Sequence, residues 1–172
     1  MATHVEREGR VKREQEMRTG FIIIAVILLV VPHAAPLAAA GDACTLLTQM
    51  QVTTALGAPV GAGTPISGPT SCQWAAKGKI ATLTVNNTIA GKTAVERFSA
   101  GKKSGLPGIT TEPVGGVGDD AYYVYFSNTT RAGLGLVVKK GNSAFEVRVY
   151  GFDLDQAKPV AKTLAQDVAG KL

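Results

Sequence analysis

The sequence predicts a single α+β domain over residues 41–172: an antiparallel sheet of about five strands packed by helices, in the order α-β-β-α-β-β-β-α. Three observations carry this. Segments of period-two alternation, 80–89 and 143–151, follow the turn signals Lys77-Gly78-Lys79 and Gly141-Asn142, which join neighbouring strands as hairpins. Runs with helical spacing of apolar residues stand before, between and after the strands. Strands do not alternate one-for-one with helices, so no parallel crossover is required, and the helices are expected to cover one face of the sheet.

The elements follow in order. In "CTLLTQMQVTTALG", Leu46, Leu47, Met50, Val52 and Leu56 recur at helical spacing, Thr48 with Gln51 forms a capping box, and Gly57 and Pro59 stop the helix. A loop rich in Gly, Pro, Ser and Thr runs through Ser71. "CQWAA" is a short strand, with Trp74 expected as a core anchor beside Cys72. In "IATLTVNNTI", Ala81, Leu83 and Val85 point to one face and Ile80, Thr82, Thr84 and Asn86 to the other, so one face is buried and one wet. "GKTAVERFSAGKKSG" is a second helix with Ala94, Val95 and Phe98 apolar, and Pro107 and Pro113 bracket a loop. "DAYYVYF", "GLGLVVKK" and "SAFEVRVYG" are the remaining strands. From Asp153 or Asp155 the chain is helical to its end, with Val160, Leu164, Val168 and Leu172 at every fourth position.

Residues 1–40 read differently. Phe21 to Val31, "FIIIAVILLVV", is an unbroken apolar run too short for an ordinary membrane span of about twenty residues. Arg18 precedes it and "PHAAPLAAA" follows, so the segment reads as a secretory signal peptide cleaved after Ala40. Met17 stands just before this unit and reads as the start of translation; a long cytoplasmic n-region is the other reading. An uncleaved anchor is the competing reading of the leader, with Pro32, His33 and Pro36 against it. Lipid attachment at Cys44 is disfavoured by Asp42, which stands where such signals carry a small uncharged residue. The expected location is periplasmic or extracellular. In that oxidising setting the only two cysteines, Cys44 and Cys72, are expected to form a disulfide.

The quoted pieces, "CTLLTQMQVTTALGAPV", "SCQW", "GVGDDAYY" and "LVVKKGNSAFEVRV", resemble those of small bacterial envelope proteins of a family of unknown function, often lipoproteins in actinobacteria. The shared pattern is a Cys-x-Leu-Leu-Thr helix, a Cys-x-Trp strand, a Gly-Val-Gly-Asp turn and a final strand pair, and it covers most of 44–172. The resemblance implies a fold similar to the PsbP-like α-β-α sandwich and brings no catalytic residues. This chain departs from the pattern in lacking a good lipid-attachment signal.

Charge and chemistry narrow the function. The chain has 18 basic and 13 acidic side chains; five and four of these lie in the leader, leaving 13 and 9 interspersed over the domain. That is a solvated surface rather than a nucleic-acid footprint. Both histidines, His4 and His33, lie in the leader, so the domain lacks Ser-His and Cys-His pairs and histidine metal ligands. "GGVGDDAYY", residues 115–123, invites a phosphate or metal reading. It has no Gly-Lys-Ser/Thr and opens no helix, and it lacks the calcium-loop ligand series. It reads as a turn whose glycines supply special backbone angles before a strand. Strand alternation should part Asp119 from Asp120, and Tyr122, Val124 and Phe126 from Tyr123 and Tyr125. Asp119, Asp120, Tyr123 and Tyr125 are the candidate binding surface; no metal or cofactor is expected. Asn86-Asn87-Thr88 and Asn128-Thr129-Thr130 match glycosylation sequons, as short patterns do by chance.

The reading that results is a non-catalytic exported or envelope-associated module that binds a protein, lipid or wall component. The alternative is a small hydrolase or lyase using carboxylates or a Ser-Lys pair. Intact-mass analysis of the protein recovered from its producing cell should give a chain starting at Gly41; a mass that still includes Phe21 to Val31 would exclude cleavage.

Overall fold

The computed structural model describes residues 42–126 and 133–172; the leader and the sequon at 128–130 lie outside them. The strands are β1 (Thr64–Pro65), β2 (Ser71–Ala76), β3 (Lys79–Val85), β4 (Ile109–Val114), β5 (Asp120–Phe126), β6 (Leu134–Lys140) and β7 (Ser143–Tyr150). They form one antiparallel sheet in the order β1-β2-β3-β7-β6-β5-β4. The last strand thus enters the middle and joins two meanders. The helices are α1 (Ala43–Leu46), α2 (Gln49–Leu56), α3 (Ala94–Lys102) and α4 (Leu154–Ala169).

The sheet has seven strands rather than the expected five, and both additions lie at its edges. β1 is two residues inside the Gly/Pro-rich loop, too short to show alternation. β4 occupies what reads as a loop ending at Pro113. Proline cannot donate to a ladder and is tolerated on an edge strand, where one side needs no partner.

The first helix is also divided. Thr48 is the N-cap of α2, with the complete Thr48–Gln51 capping box, and Leu47 before it is extended. Residues 43–46 therefore form a separate turn capped by the Asp42 carboxylate, which accepts from the Cys44 N–H. This turn brings Cys44 to β2, where it is bonded to Cys72 with Cα atoms 5.0 Å apart. Trp74 is 1% exposed, and Gly63 lies so close that a Cβ there would stand 2.7 Å from both Cys72 Sγ and Trp74 Nε1.

Alternation sets the faces. Ala81, Leu83 and Val85 of β3, Leu134, Leu136 and Val138 of β6, and Phe145, Val147 and Val149 of β7 are buried on one side with Cys72 and Trp74. α1, α2 and α4 belong to that core. The buried stripe of α4 is Ala157, Ala161, Leu164, Ala165 and Val168, while Val160 and Leu172 are only partly buried. The stripe is rotated from the every-fourth-residue line because three alanines, inconspicuous in sequence, turn toward the sheet.

Helices do not cover one face alone. α3 sits on the opposite face, where Phe98 packs against Tyr122 and Ala144 with Val95, Val124 and Val137 around it. The cause is in β5 and β6, whose Tyr122, Val124 and Val137 make the second face apolar at that end. α3 spans little more than two turns, so it covers only part of that face.

The bond between Cys44 and Cys72 closes a separation of 28 residues, worth about 3–4 kcal/mol in the chain-entropy treatment. Native protein should therefore take up no thiol label without reductant. Urea unfolding of Cys44→Ser/Cys72→Ser should show a loss of that order; an unchanged midpoint would remove the bond from the stability of the fold.

Candidate functional site

The "GGVGDDAYY" stretch folds as a turn into β5. Gly116 and Gly118 have positive φ, and Val117 between them is buried. At Gly118 a Cβ would stand 2.5 Å from both the Lys139 carbonyl oxygen and Val138 Cγ1, so glycine is required twice over, by φ and by space. Asp119 and Asp120 diverge. The Asp119 carboxylate accepts from the Gly141 N–H at 2.6 Å and from Lys140, closing the β6–β7 hairpin; the Gly141 bond holds its pKa below the usual range. Asp120 pairs with Lys102 Nζ at 2.6 Å, tying β5 to the last turn of α3. The two acids clamp different elements and form no pair.

Tyr123 and Tyr125 do share a cluster, one that the chain itself fills. Tyr123 is 6% exposed and its hydroxyl donates to the Lys158 carbonyl; burial pushes its phenol pKa up. Tyr125 donates to Glu112, and Lys158 Nζ reaches both Glu112 oxygens at 3.0 and 2.7 Å. Lys158 also lies 5.7 and 5.8 Å from the two ring centroids. The Lys158 bond lowers the Glu112 pKa, so the pair holds above the ordinary carboxyl range and is lost as pH falls. Tyr122, on the other face, is buried against Phe98 with ring centroids 5.2 Å apart. Burial pushes its pKa up to about 12, with Glu146 adding to the effect. Neither tyrosine set forms an open aromatic face; the side chain of Phe126 lies outside the described residues.

The open surface lies elsewhere, on the second face beyond α3. Three cross-strand rows pave it. Gln73 of β2 is in register with Thr82 of β3, Thr82 with Arg148 of β7, and Arg148 with Gly135 of β6. Ser71, Thr84 and Glu146 make the next row, which runs on to Val137 beneath α3, and Ala75, Ile80 and Tyr150 the third. A hollow of about 550 Å³ lies over Gln73, Ile80, Thr82, Thr84, Glu146, Arg148 and Tyr150, with half-exposed Ile66 as its lip. A second, of about 260 Å³, adjoins it at Thr84, Glu146 and Arg148 and runs beneath Arg97, Phe98 and Gly101 of α3. Together they form a trough of the size of small-ligand sites, roughly 300–1,000 Å³.

An ion pair lies where the two hollows meet. Glu146 and Arg148 stand two apart on β7 and so on one face. Arg148 Nε and Nη2 both donate to Glu146 Oε1. Gly135 makes room for them: a Cβ there would stand 2.5 Å from Glu146 Oε1 and 3.2 Å from Arg148 Nη2. Arg97 is anchored to the segment just after β3 by its bond to the Asn87 carbonyl. Asn86 receives the Ala144 N–H on its amide oxygen and donates its amide nitrogen to Ser143, so the sequon asparagine is engaged in joining β3 to β7.

Among the residues lining these hollows Glu146 is the one carboxylate, and it is paired. Of the described serines, Ser71 bonds Thr84, Ser143 bonds Asn86 and Ser99 bonds the Val95 carbonyl, with no Ser-Lys bond among these. The trough offers hydrogen bonds and one neutralised ion pair to a ligand. None of Asp119, Asp120, Tyr123 and Tyr125 lines it. The available signals were the polar faces of "IATLTV" and "FEVRVY" and a glycine in mid-strand, which marks close approach. Comparison with protein-family models, characterised proteins and solved structures finds no match to the chain.

Two variants test the turn. Gly118→Val should lower stability by about 1 kcal/mol or more, since it combines a positive φ with a clash. Asp120→Asn loses only a half-exposed ion pair and should cost less than about 1 kcal/mol. Thermal melting checks both. A Gly118→Val protein as stable as the parent would contradict the steric account.

Proposed function

We propose that this chain is a non-catalytic, exported binding module that holds an envelope component in the trough between α3 and the β1–β2 edge. The observation that carries the reading is the Glu146–Arg148 pair. A carboxylate hydrolase or lyase would place two carboxyl groups, or a carboxyl group and a nucleophile, facing each other across a cleft. Here the trough's carboxylate is neutralised by a neighbour on its own strand, surrounded by groups suited to reversible hydrogen bonding. The Cys44–Cys72 bond supports an oxidising location, and among the described residues no helix is long and apolar enough to cross a membrane.

Placement of the conspicuous residues supports the trough over the β5 turn. Asp119, Asp120 and Tyr125 spend their polar groups on the chain's own Gly141, Lys102 and Glu112, and a ligand would have to displace those bonds. The row Gln73, Thr82, Arg148 is half-buried, so its side chains are positioned by the sheet yet reachable.

Thr82→Trp, which fills the trough from its floor, should abolish co-sedimentation of the full chain with washed envelope material. Asp120→Asn should bind as the parent does. Undiminished sedimentation of a folded Thr82→Trp protein would rule the trough out.

A further inference from the structure

Resting on that reading, we infer that the trough binds a neutral glycan, its sugar hydroxyls bonded by Gln73, Thr82 and the Glu146–Arg148 pair and a ring face laid against Tyr150. Four physical points lead to this class of ligand.

The floor recognises through side chains alone. β3 and β7 are each paired on both sides, and β1 covers the outer side of β2 at Cys72 and Gln73, so the backbone groups of the floor serve the ladders. An extended peptide gains its main-chain affinity by adding to a free sheet edge, and the face of these strands offers none. Sugar hydroxyls need only side-chain partners.

The donor and acceptor inventory is mixed. Gln73, Thr82 and Tyr150 can each donate and accept, as a hydroxyl can, while the Thr84 hydroxyl is shared with Ser71. Arg148 spends Nε and Nη2 on one oxygen of Glu146, and Glu146 Oε2 has no partner among the described residues. A vicinal diol fits this pair: one hydroxyl accepts from a remaining guanidinium N–H and its neighbour donates to Oε2.

Charge is balanced in the larger hollow, where Glu146 and Arg148 are the charged groups. A charged ligand would be desolvated there without a free counter-charge, or would have to break the existing pair. Arg97 adds a cation only on the α3 side.

The apolar surface is divided by the polar rows: Tyr150 and Ile80 form one end, and the lip residue Ile66 stands across from them beside Ser71. A lipid chain filling the hollow would cross the polar rows and bury Gln73 and Thr82 without partners. A sugar ring has one C–H face for the apolar end and hydroxyls for the rest.

The test is titration of the full chain with neutral oligosaccharides (tetramers of glucose, mannose, galactose and N-acetylglucosamine), with acidic oligosaccharides and a set of extended peptides alongside. At least one neutral tetramer should bind, with affinity unchanged from low to high salt. Tyr150→Ala and Thr82→Val should each weaken it about tenfold or more; Thr82→Val keeps the shape and removes only the hydroxyl, so it remains informative if loss of Tyr150 disturbs folding. Binding of none of the neutral sugars overturns the inference. Binding of peptides or acidic sugars instead, sensitive to Thr82→Trp, overturns the neutral-glycan class and leaves the trough as the binding site. Neutral-sugar binding that neither variant weakens overturns the trough as the binding site along with this inference.

Discussion

β3 and β7 are far apart in the chain, and their pairing joins the two meanders β1-β2-β3 and β4-β5-β6 into one sheet. Its register also decides which residues of both halves face which side. With Leu83 opposite Val147 and Ala81 opposite Val149, the apolar set faces α4, and the partners Thr82–Arg148 and Thr84–Glu146 are left on the other face. A slip of one residue would bury the ion pair and expose the valines, so burial energy holds this register strongly. The main core and the trough are thus two consequences of one alignment. Asn86 ends it at one side by receiving the Ala144 N–H.

The two faces are finished differently because the halves differ in composition. β5 and β6 are apolar on both sides, so α3 is drawn onto Tyr122 and Val137. β2, β3 and the adjoining part of β7 carry Gln73, Thr82, Thr84, Glu146 and Arg148 there, groups that need water or a ligand. α3 stops where the apolar surface stops. Its position is held by Asp120–Lys102 at its C-terminal end and Arg97–Asn87 near its middle. The trough is the boundary between the covered and the uncovered part of one face.

Conspicuous residues and useful residues are different sets in this protein. "GGVGDDAYY" attracts notice through repeated glycines, acids and tyrosines, yet its polar groups are consumed by hairpin, helix and Lys158. Threonines and a glutamine on alternating strands attract none, and they pave the open surface. Clusters in sequence do not amount to clusters in space when strand alternation separates neighbours and pairing gathers residues from β2, β3 and β7.

What the sequence determined by itself was local. Period-two alternation placed Ala81, Leu83 and Val85 on the buried face; Thr48 and Gln51 marked a helix start; two cysteines made one disulfide; and the α+β class followed from segment order. Each depends on residues close together in the chain, or on there being one way to pair. The edge strands, the helix on the second face and the trough were decided by tertiary structure. Pro113 becomes part of a strand only because β5 lies beside it. The stripe of α4 is set by which small residues let it approach the sheet. Gly135 leaves room for Glu146 and Arg148 only once β6 and β7 are in register. These are long-range pairings, and a single strand's pattern names its faces without naming its neighbours.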